Sequence, residues 1–510
     1  MAESSSKSKR IAKNTLLLYG RMLFLMIVSL YTSRVILNAL GVEDYGIYNV
    51  VGGVVTMFTV LSGSLSTAIS RFITFELGKG DKEKLNKIFS SSVTIQAGIA
   101  LIIIILAETV GLWFLNAKLV IPDDRMVAAN WCYQFSIITF AINLISVPYN
   151  AAIIAHERMS AFAYISILEA LGKLLVAWCI ALNPIDRLIF YAAMIAVLAW
   201  TIRWVYARYC KKHFTECEYH FVYDKQLFKE MVGFAGWNFI GSSSGIIRDQ
   251  GGNIILNLFC GPAVNAARGV AVKVSHTITG FVNNFMTALK PQITKSYASG
   301  DYDYMFRLIF RGSRLSFYVL LLLSLPVLIN THYVLEIWLK IVPEHTVNFV
   351  RLILIDAHCE CISHTLVVAM LATGNIRNYQ IIVGGLQMLN LPIAYLCLYL
   401  GAPPESVIIV AIVISQCCLA ARLYMLRGMI HLHVRHFLKH VYFNVIVVAL
   451  LSSIIPLIVN QYLNEGFGGF VLVSTISLVC TVAVELFIGC PKEERLFVFN
   501  QIRKYINRKK

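Results

Sequence analysis

Apolar residues fall along this chain in blocks of about twenty, separated by short polar breaks. Uncharged runs such as Ile99–Ala107 and Val441–Leu451 sit inside those blocks. A helix needs about twenty apolar residues to cross the hydrocarbon core of a bilayer. By that length criterion the pattern predicts about fourteen spans. They lie near 15–40, 46–75, 86–115, 126–153, 160–182, 186–208, 229–259, 264–290, 305–329, 347–373, 378–400, 405–427, 439–462 and 468–489. A transmembrane barrel would need short segments of alternating polarity, and the chain has none. The expected fold class is an all-α integral membrane protein.

The polar breaks carry a charge bias. Of the 44 lysines and arginines, 32 fall on one set of alternating segments and 4, namely Lys118, Arg125, Arg187 and Lys340, on the other. Cytoplasmic loops are enriched in Lys and Arg, so both termini are expected inside. The break "GVEDYG" at 41–46 is then the first outside turn, which accounts for its acids. The N-terminal block runs on to about Leu40, too long for a cleaved signal core, and reads as an uncleaved first span.

A worn copy of the early sequence returns 220 residues later. "TAISRFITFELGKGD" at 67–81 falls on "TALKPQITKSYASGD" at 287–301, and Gly41 falls on Gly261. With one gap, "ILN" at 36–38 falls on "ILN" at 255–257. The first and second spans thus correspond to the seventh and eighth. The offset covers an even number of spans, so the copies point the same way. Parallel repeats of this kind mark transporters whose substrate site lies between the halves. The expected organisation is an N-lobe at 1–212, a C-lobe at 213–436, and two further spans with a basic tail at 437–510.

With "NALGVEDYGIYNVVGG", the polar second span "LSGSLSTAISRF" and the basic loop "GKGDKEK" in this order, the chain resembles the Wzx-type oligosaccharide flippases. These are polysaccharide biosynthesis proteins within the multidrug, oligosaccharidyl-lipid and polysaccharide exporters. The resemblance covers most of 12–430. It implies two six-helix lobes that expose a central cavity alternately to each side of a bacterial inner membrane. It also implies an undecaprenyl-diphosphate-linked oligosaccharide as cargo, with membrane lipids and other polysaccharide-assembly proteins as partners.

Composition narrows the alternatives. The chain is 58% hydrophobic and 14% charged, against roughly 25% charged in soluble domains. Its net charge of +16 is explained by the basic loops, and it holds no nucleic-acid-binding motif. Most of the twelve cysteines lie in apolar segments, where free Cys acts as a small hydrophobe. No P-loop, GxSxG or HExxH is present. Neither a cofactor, a bound metal nor an enzymatic activity is expected. A coupling ion, Na+ or H+, is the one small partner the pattern admits.

Charges inside a bilayer are costly and usually face a wet cavity or a partner. Eight cations fall within or near spans: Arg21, Arg34, Arg71, Lys173, Arg248, Arg268, Lys273 and Arg351. Six of them lie on the four repeated spans, which line the central cavity in the resembled fold. Arg21, Arg34, Arg71, Arg248 and Lys273 are the candidate ligands for a diphosphate, since a guanidinium can grip phosphate at two points. The competing reading is snorkelling toward an interface. Lys173, one turn after Glu169, reads as a structural pair. Arg248 and Asp249 are adjacent on a helix, about 100° apart, and are expected not to pair with each other.

Span ten contains "LILIDAHCECISHTL". Asp356, Glu360 and His364 share one face at four-residue spacing. Together with Asp249 they are candidates for ion coupling, because proton relays use such groups. The bland alternative is a polar stripe satisfied by neighbouring helices. Two other functions compete with a flippase: a cation-coupled drug exporter of the same superfamily and a membrane glycan polymerase or glycosyltransferase.

Overall fold

The computed structural model describes residues 2–496, apart from 57–58, 119–120, 181–185, 223, 340–341, 464–465 and 493. The described chain is helical almost throughout and forms two compact units. One holds Met1–Ser242 and Thr287–Asp301, the other Ser243–Met286 and Tyr302–Lys510.

The first unit contains α1 (Ala2–Thr56), α2 (Thr59–Lys79), α3 (Lys82–Leu106), α4 (Leu112–Lys118), α5 (Met126–Ala155), α6 (Met159–Ile180) and α7 (Arg187–His213). It also takes both ends of the long α8 (Lys225–Ala298). In this unit α5 packs on α7, and α1 on α6. Helix starts are fixed by aspartates. Asp81 accepts from the Lys84 amide at the start of α3, and Asp186 from the amides of Leu188 and Ile189 at the start of α7. Each satisfies amides that have no partner within the helix.

The second unit contains the middle of α8 and α9 (Tyr302–Ile329), α10 (Thr331–Leu339), α11 (Thr346–Cys361), α12 (His364–Thr373), α13 (Arg377–Met388) and α14 (Asn390–Tyr399). It continues with α15 (Ser406–Ile430), α16 (Val434–Phe437), α17 (Phe443–Tyr462) and α18 (Phe467–Val484). Helix α15 packs on α11, α13 and α14, while α17, α18 and α9 pack together.

Eleven helices among the described residues are long and apolar enough to cross a membrane. The expected spans 229–259 and 264–290 do not meet that test, and the expected span 46–75 includes residues 57–58, which lie outside the described ones. Their described residues are nevertheless helical, carried by α1, α2 and α8. In the two spans of α8 the reason is composition: polar stretches such as "GSSSGIIRDQGGN" dilute the apolar content.

The repeat is written in the backbone. Gly41 breaks α1 at φ 83°, ψ 170°, and Gly261 breaks α8 at φ 81°, ψ 178°. Gly80 and Gly300, which follow α2 and α8, sit at φ 81° and φ 74°. All four are positions where side-chain-bearing residues are strained. The expected six-residue turn at 41–46 is corrected accordingly. Gly41 alone makes the turn, and helix resumes at once through 42–56.

Two polar hubs organise the first unit. Arg125 donates to both Asp44 oxygens, at 2.8 and 2.6 Å, and to Asp186 at 2.6 Å. This fastens the stretch after the Gly41 break to the starts of α5 and α7. Burial alone would raise the Asp186 carboxyl, but Arg125 and the backbone amides hold it below its ordinary range. The second hub is Glu157, in a left-handed turn between α5 and α6 at φ 59°. Its buried carboxylate takes Arg10 at 2.7 Å, Lys295 at 3.0 Å and the side-chain amide of Gln292.

Candidate functional site

Inside the second unit, the middle of α8 faces α11, with α15 alongside. Between them lies a cavity of about 370 Å³. Its polar wall includes Arg248, Asp249, Arg268, Asp356, Glu360 and His364. Five of the nine residues singled out from the sequence as candidate ligands or coupling groups thus meet in one place. They arrive from stretches more than a hundred positions apart.

Local structure explains how each is presented. Asp356 and Glu360 sit one turn apart on α11, which aims both the same way. Helix α11 ends at Cys361 and α12 starts at His364. The three-residue face expected from spacing is therefore interrupted, yet His364 still lines the cavity. On α8, Arg248 reaches across to Glu360, its Nη1 donating to Oε1 at 2.5 Å. Its Nε also donates to Asp249 Oδ1 at 3.1 Å. The expectation that these neighbours would not pair is wrong. The guanidinium is long enough to fold back onto the adjacent carboxylate while its other edge holds Glu360.

Arg268, fifteen residues on, donates to Asn253 Oδ1. Asp356 differs from the other carboxylates. Its Oδ1 is buried and has no hydrogen-bond partner among the described residues. A buried carboxylate oxygen without a donor is costly unless a proton or a cation reaches it. A second cavity, of about 140 Å³, shares Arg248, Glu360 and His364 and adds Gln387, Ser415 and Arg422. The Arg248–Glu360 pair therefore lines both cavities.

The remaining candidates lie elsewhere. The Arg21 guanidinium stacks over Phe162 at 4.3 Å. Arg71 sits among Phe72, Phe75 and Phe234 at 4.8, 4.6 and 5.6 Å from their ring centres. Such cation–π seats hold a charge where carboxylates are scarce. Arg34 and Lys273 are exposed. Lys173 donates to Glu169 at 2.6 Å, as the helical spacing predicts. Arg351 donates to Thr331 Oγ1 at 3.3 Å.

His358 belongs to the core and not to the cavity. It is buried against Phe317, with Nε2 3.2 Å from Ser324 Oγ. Among the described residues no three His, Cys, Asp or Glu side chains are grouped to hold a metal ion. Sequence reasoning missed Asn253 and the Asp44–Arg125–Asp186 hub. The hub had left a signal: Arg125 is one of only four cations on segments otherwise free of them.

Comparison with known proteins agrees with this architecture. The chain is similar to a solved MOP superfamily transporter from Pyrococcus furiosus, with a TM-score of 0.69 at 11% identity over 84% of this chain and 96% of that one. It is also similar to the Vibrio cholerae MATE transporter VcmN in its bent form, with a TM-score of 0.69 at 15% identity over 86% of this chain and all of that one. At such identities the likeness establishes a shared two-lobe helical fold. Among curated sequences, the uncharacterized membrane protein EpsK of Bacillus subtilis (strain 168) is 21% identical over 306 residues. That match spans 59% of this chain and 59% of EpsK. The family described as "Polysaccharide biosynthesis protein" matches residues 11–297, more than half of the sequence. The chain belongs to the polysaccharide biosynthesis protein family.

Proposed function

We propose that this multi-pass membrane protein is a transporter that flips a lipid-linked oligosaccharide across a bacterial inner membrane, with both termini in the cytoplasm. The cargo would carry a diphosphate, and the oligosaccharide would feed surface polysaccharide synthesis. The observation that carries the reading is the cavity of the second unit, seen in a chain of this family. There Arg248 and Arg268 stand beside Asp249, Asp356 and Glu360. Two guanidiniums supply charge for an anionic group. The carboxylates hold one of them in place and offer a site for H+ or Na+ at Asp356. A coupling ion acts only if it binds one conformation better than the other. Neutralising Asp356 would remove one negative charge beside Arg248 and Arg268 and so favour an anion there, which ties ion uptake to cargo.

A cation-coupled drug exporter is the competing reading, favoured by those same carboxylates and by the MATE fold. The two part in a reconstituted system. Proteoliposomes loaded with a fluorescent lipid diphosphate sugar should show transfer between leaflets with the wild type and none with Arg248→Ala. In cells, loss of the protein should leave the lipid-linked sugar in the inner leaflet. Transfer unchanged by Arg248→Ala, together with drug sensitivity on deletion, would overturn the flippase reading.

A further inference from the structure

A second polar cavity, of about 520 Å³, opens in the first unit, on the face that carries the basic segments. It is built by six helix ends. Arg10 comes from the start of α1, Leu77 from the end of α2 and Lys82 from the first turn of α3. The turn His156–Arg158 between α5 and α6 and the stretch His213–Glu216 after α7 complete it. We propose that this cavity is a binding site for a phosphate-type anion, separate from the cavity of the second unit.

The argument is one of charge left over. Both acids in the wall are already engaged. Glu157 is held by Arg10, Lys295 and Gln292. Glu216 is hydrogen-bonded to His156. Burial pushes the Glu216 carboxyl up, but the His156 hydrogen bond, a backbone hydrogen bond and the fields of His156 and Lys82 together hold it below its ordinary range. Lys82 and Arg158 form no ion pair among the described residues. Lys82 acts on Glu216 only through its longer-range field. Both cations are exposed to the opening. Arg158 stands just before the start of α6, where the helix dipole also favours an anion, whereas the start of α3 is already capped by Asp81. The His156 ring lies flat on Phe214, 4.0 Å between centres, so the imidazole cannot swing in to fill the space. A point charge, a planar fork and one helix start around one opening match the donors that phosphate recognition uses.

The phosphate could be a lipid headgroup of the adjacent leaflet or one free in solution. Lys82→Gln with Arg158→Gln in the full chain tests both. The two side chains are exposed, so folding is preserved. Inorganic pyrophosphate, titrated calorimetrically into protein in neutral detergent, probes the free anion. Native mass spectrometry from nanodiscs of phosphatidylglycerol or phosphatidylcholine probes the headgroup. Each lost cation should weaken binding about tenfold, the size of a charge-assisted hydrogen bond. Pyrophosphate binding that the double variant loses assigns a free phosphate. Retention of phosphatidylglycerol, but not phosphatidylcholine, that the variant loses assigns a headgroup. Both arms are run in the Arg248→Ala background, which removes the candidate diphosphate ligand of the other cavity, so that binding lost with Lys82 and Arg158 reports this cavity alone. Equal binding by wild type and double variant, or none by wild type in both arms, overturns the proposal.

Discussion

Replacing Gly41 or Gly261 by alanine isolates the cost of one backbone conformation. Both residues combine φ near +80° with extended ψ, a region open in practice only to glycine. At neither site would an added Cβ meet any atom of the described residues within 4 Å. Steric crowding therefore contributes nothing, and the penalty is that of the dihedral angles, about 1–3 kcal/mol at each site. Gly20 is the control. It lies within α1, and a Cβ there also meets nothing within 4 Å. Gly20→Ala should stabilise by about 0.5–1 kcal/mol through helix propensity. Thermal unfolding of purified protein in detergent, followed by tryptophan fluorescence, reads all three variants. Gly41→Ala and Gly261→Ala should unfold earlier than wild type, by similar amounts, and Gly20→Ala no earlier. A variant at either kink that unfolds with Gly20→Ala would refute the claim that the two breaks are strained. A penalty at one kink only would refute their equivalence.

Arg125→Ala removes the shared partner of Asp44 and Asp186, whose side chains are 15% and 29% exposed. That half-buried setting lies between exposed pairs and fully buried ones, so a loss of about 2 kcal/mol is expected in the same unfolding assay; Asp44→Asn, which leaves Asp186 paired, should cost less. Glu360→Gln should halve the charge holding Arg248 and slow transport, while Arg248→Ala combined with Glu360→Gln should be less damaging than the two single effects added, as a double-mutant cycle in flux would show. In the second unit, His345 and Asn348 bond Glu405 at 2.8 and 3.0 Å. Burial raises the Glu405 carboxyl, but these bonds outweigh it and lower the group below its ordinary 4.5. Its contribution is therefore full above that value and lost as pH falls through the lowered one. The stability gap between wild type and Glu405→Gln should close on acidification below about pH 4.5, and a gap constant with pH would count against this ion pair.

Much of the fold was legible because apolar length is a strong signal. The expected span 126–153 is Met126–Ala155, and 160–182 is Met159–Ile180. Where the signal weakened, the cause was polarity. The expected spans 229–259 and 264–290 carry serines, glycines and arginines, which lower their hydropathy, yet α8 carries both as helix. The "GVEDYG" turn was misread because two glycines and two acids usually mark a loop. Only Gly41 breaks the helix, and Asp44 is spent on Arg125. At the site, Asp356 and Glu360 were readable from four-residue spacing. Their meeting with Arg248 was not, since no local pattern records which helix packs on α11. The fold-back of Arg248 onto Asp249 escaped for a different reason. Helical geometry places the Cβ atoms, but a long flexible arginine is not bound by where its Cβ points.

The Glu157 hub has a consequence for cutting the chain in two. The loop 214–224 is the natural place to divide a gene built from two parallel copies. A fragment ending there would carry α1 to α7 but would lack Gln292 and Lys295, which lie some eighty residues further along. Glu157 would keep Arg10 alone, and its buried carboxylate would lose two of its three donors. Asn238, which donates to the Ser64 carbonyl at 3.3 Å, would be gone as well. Duplication left two copies in the sequence, but the first copy borrows its last buried donors from the second. Halves expressed as separate polypeptides should be stable only together.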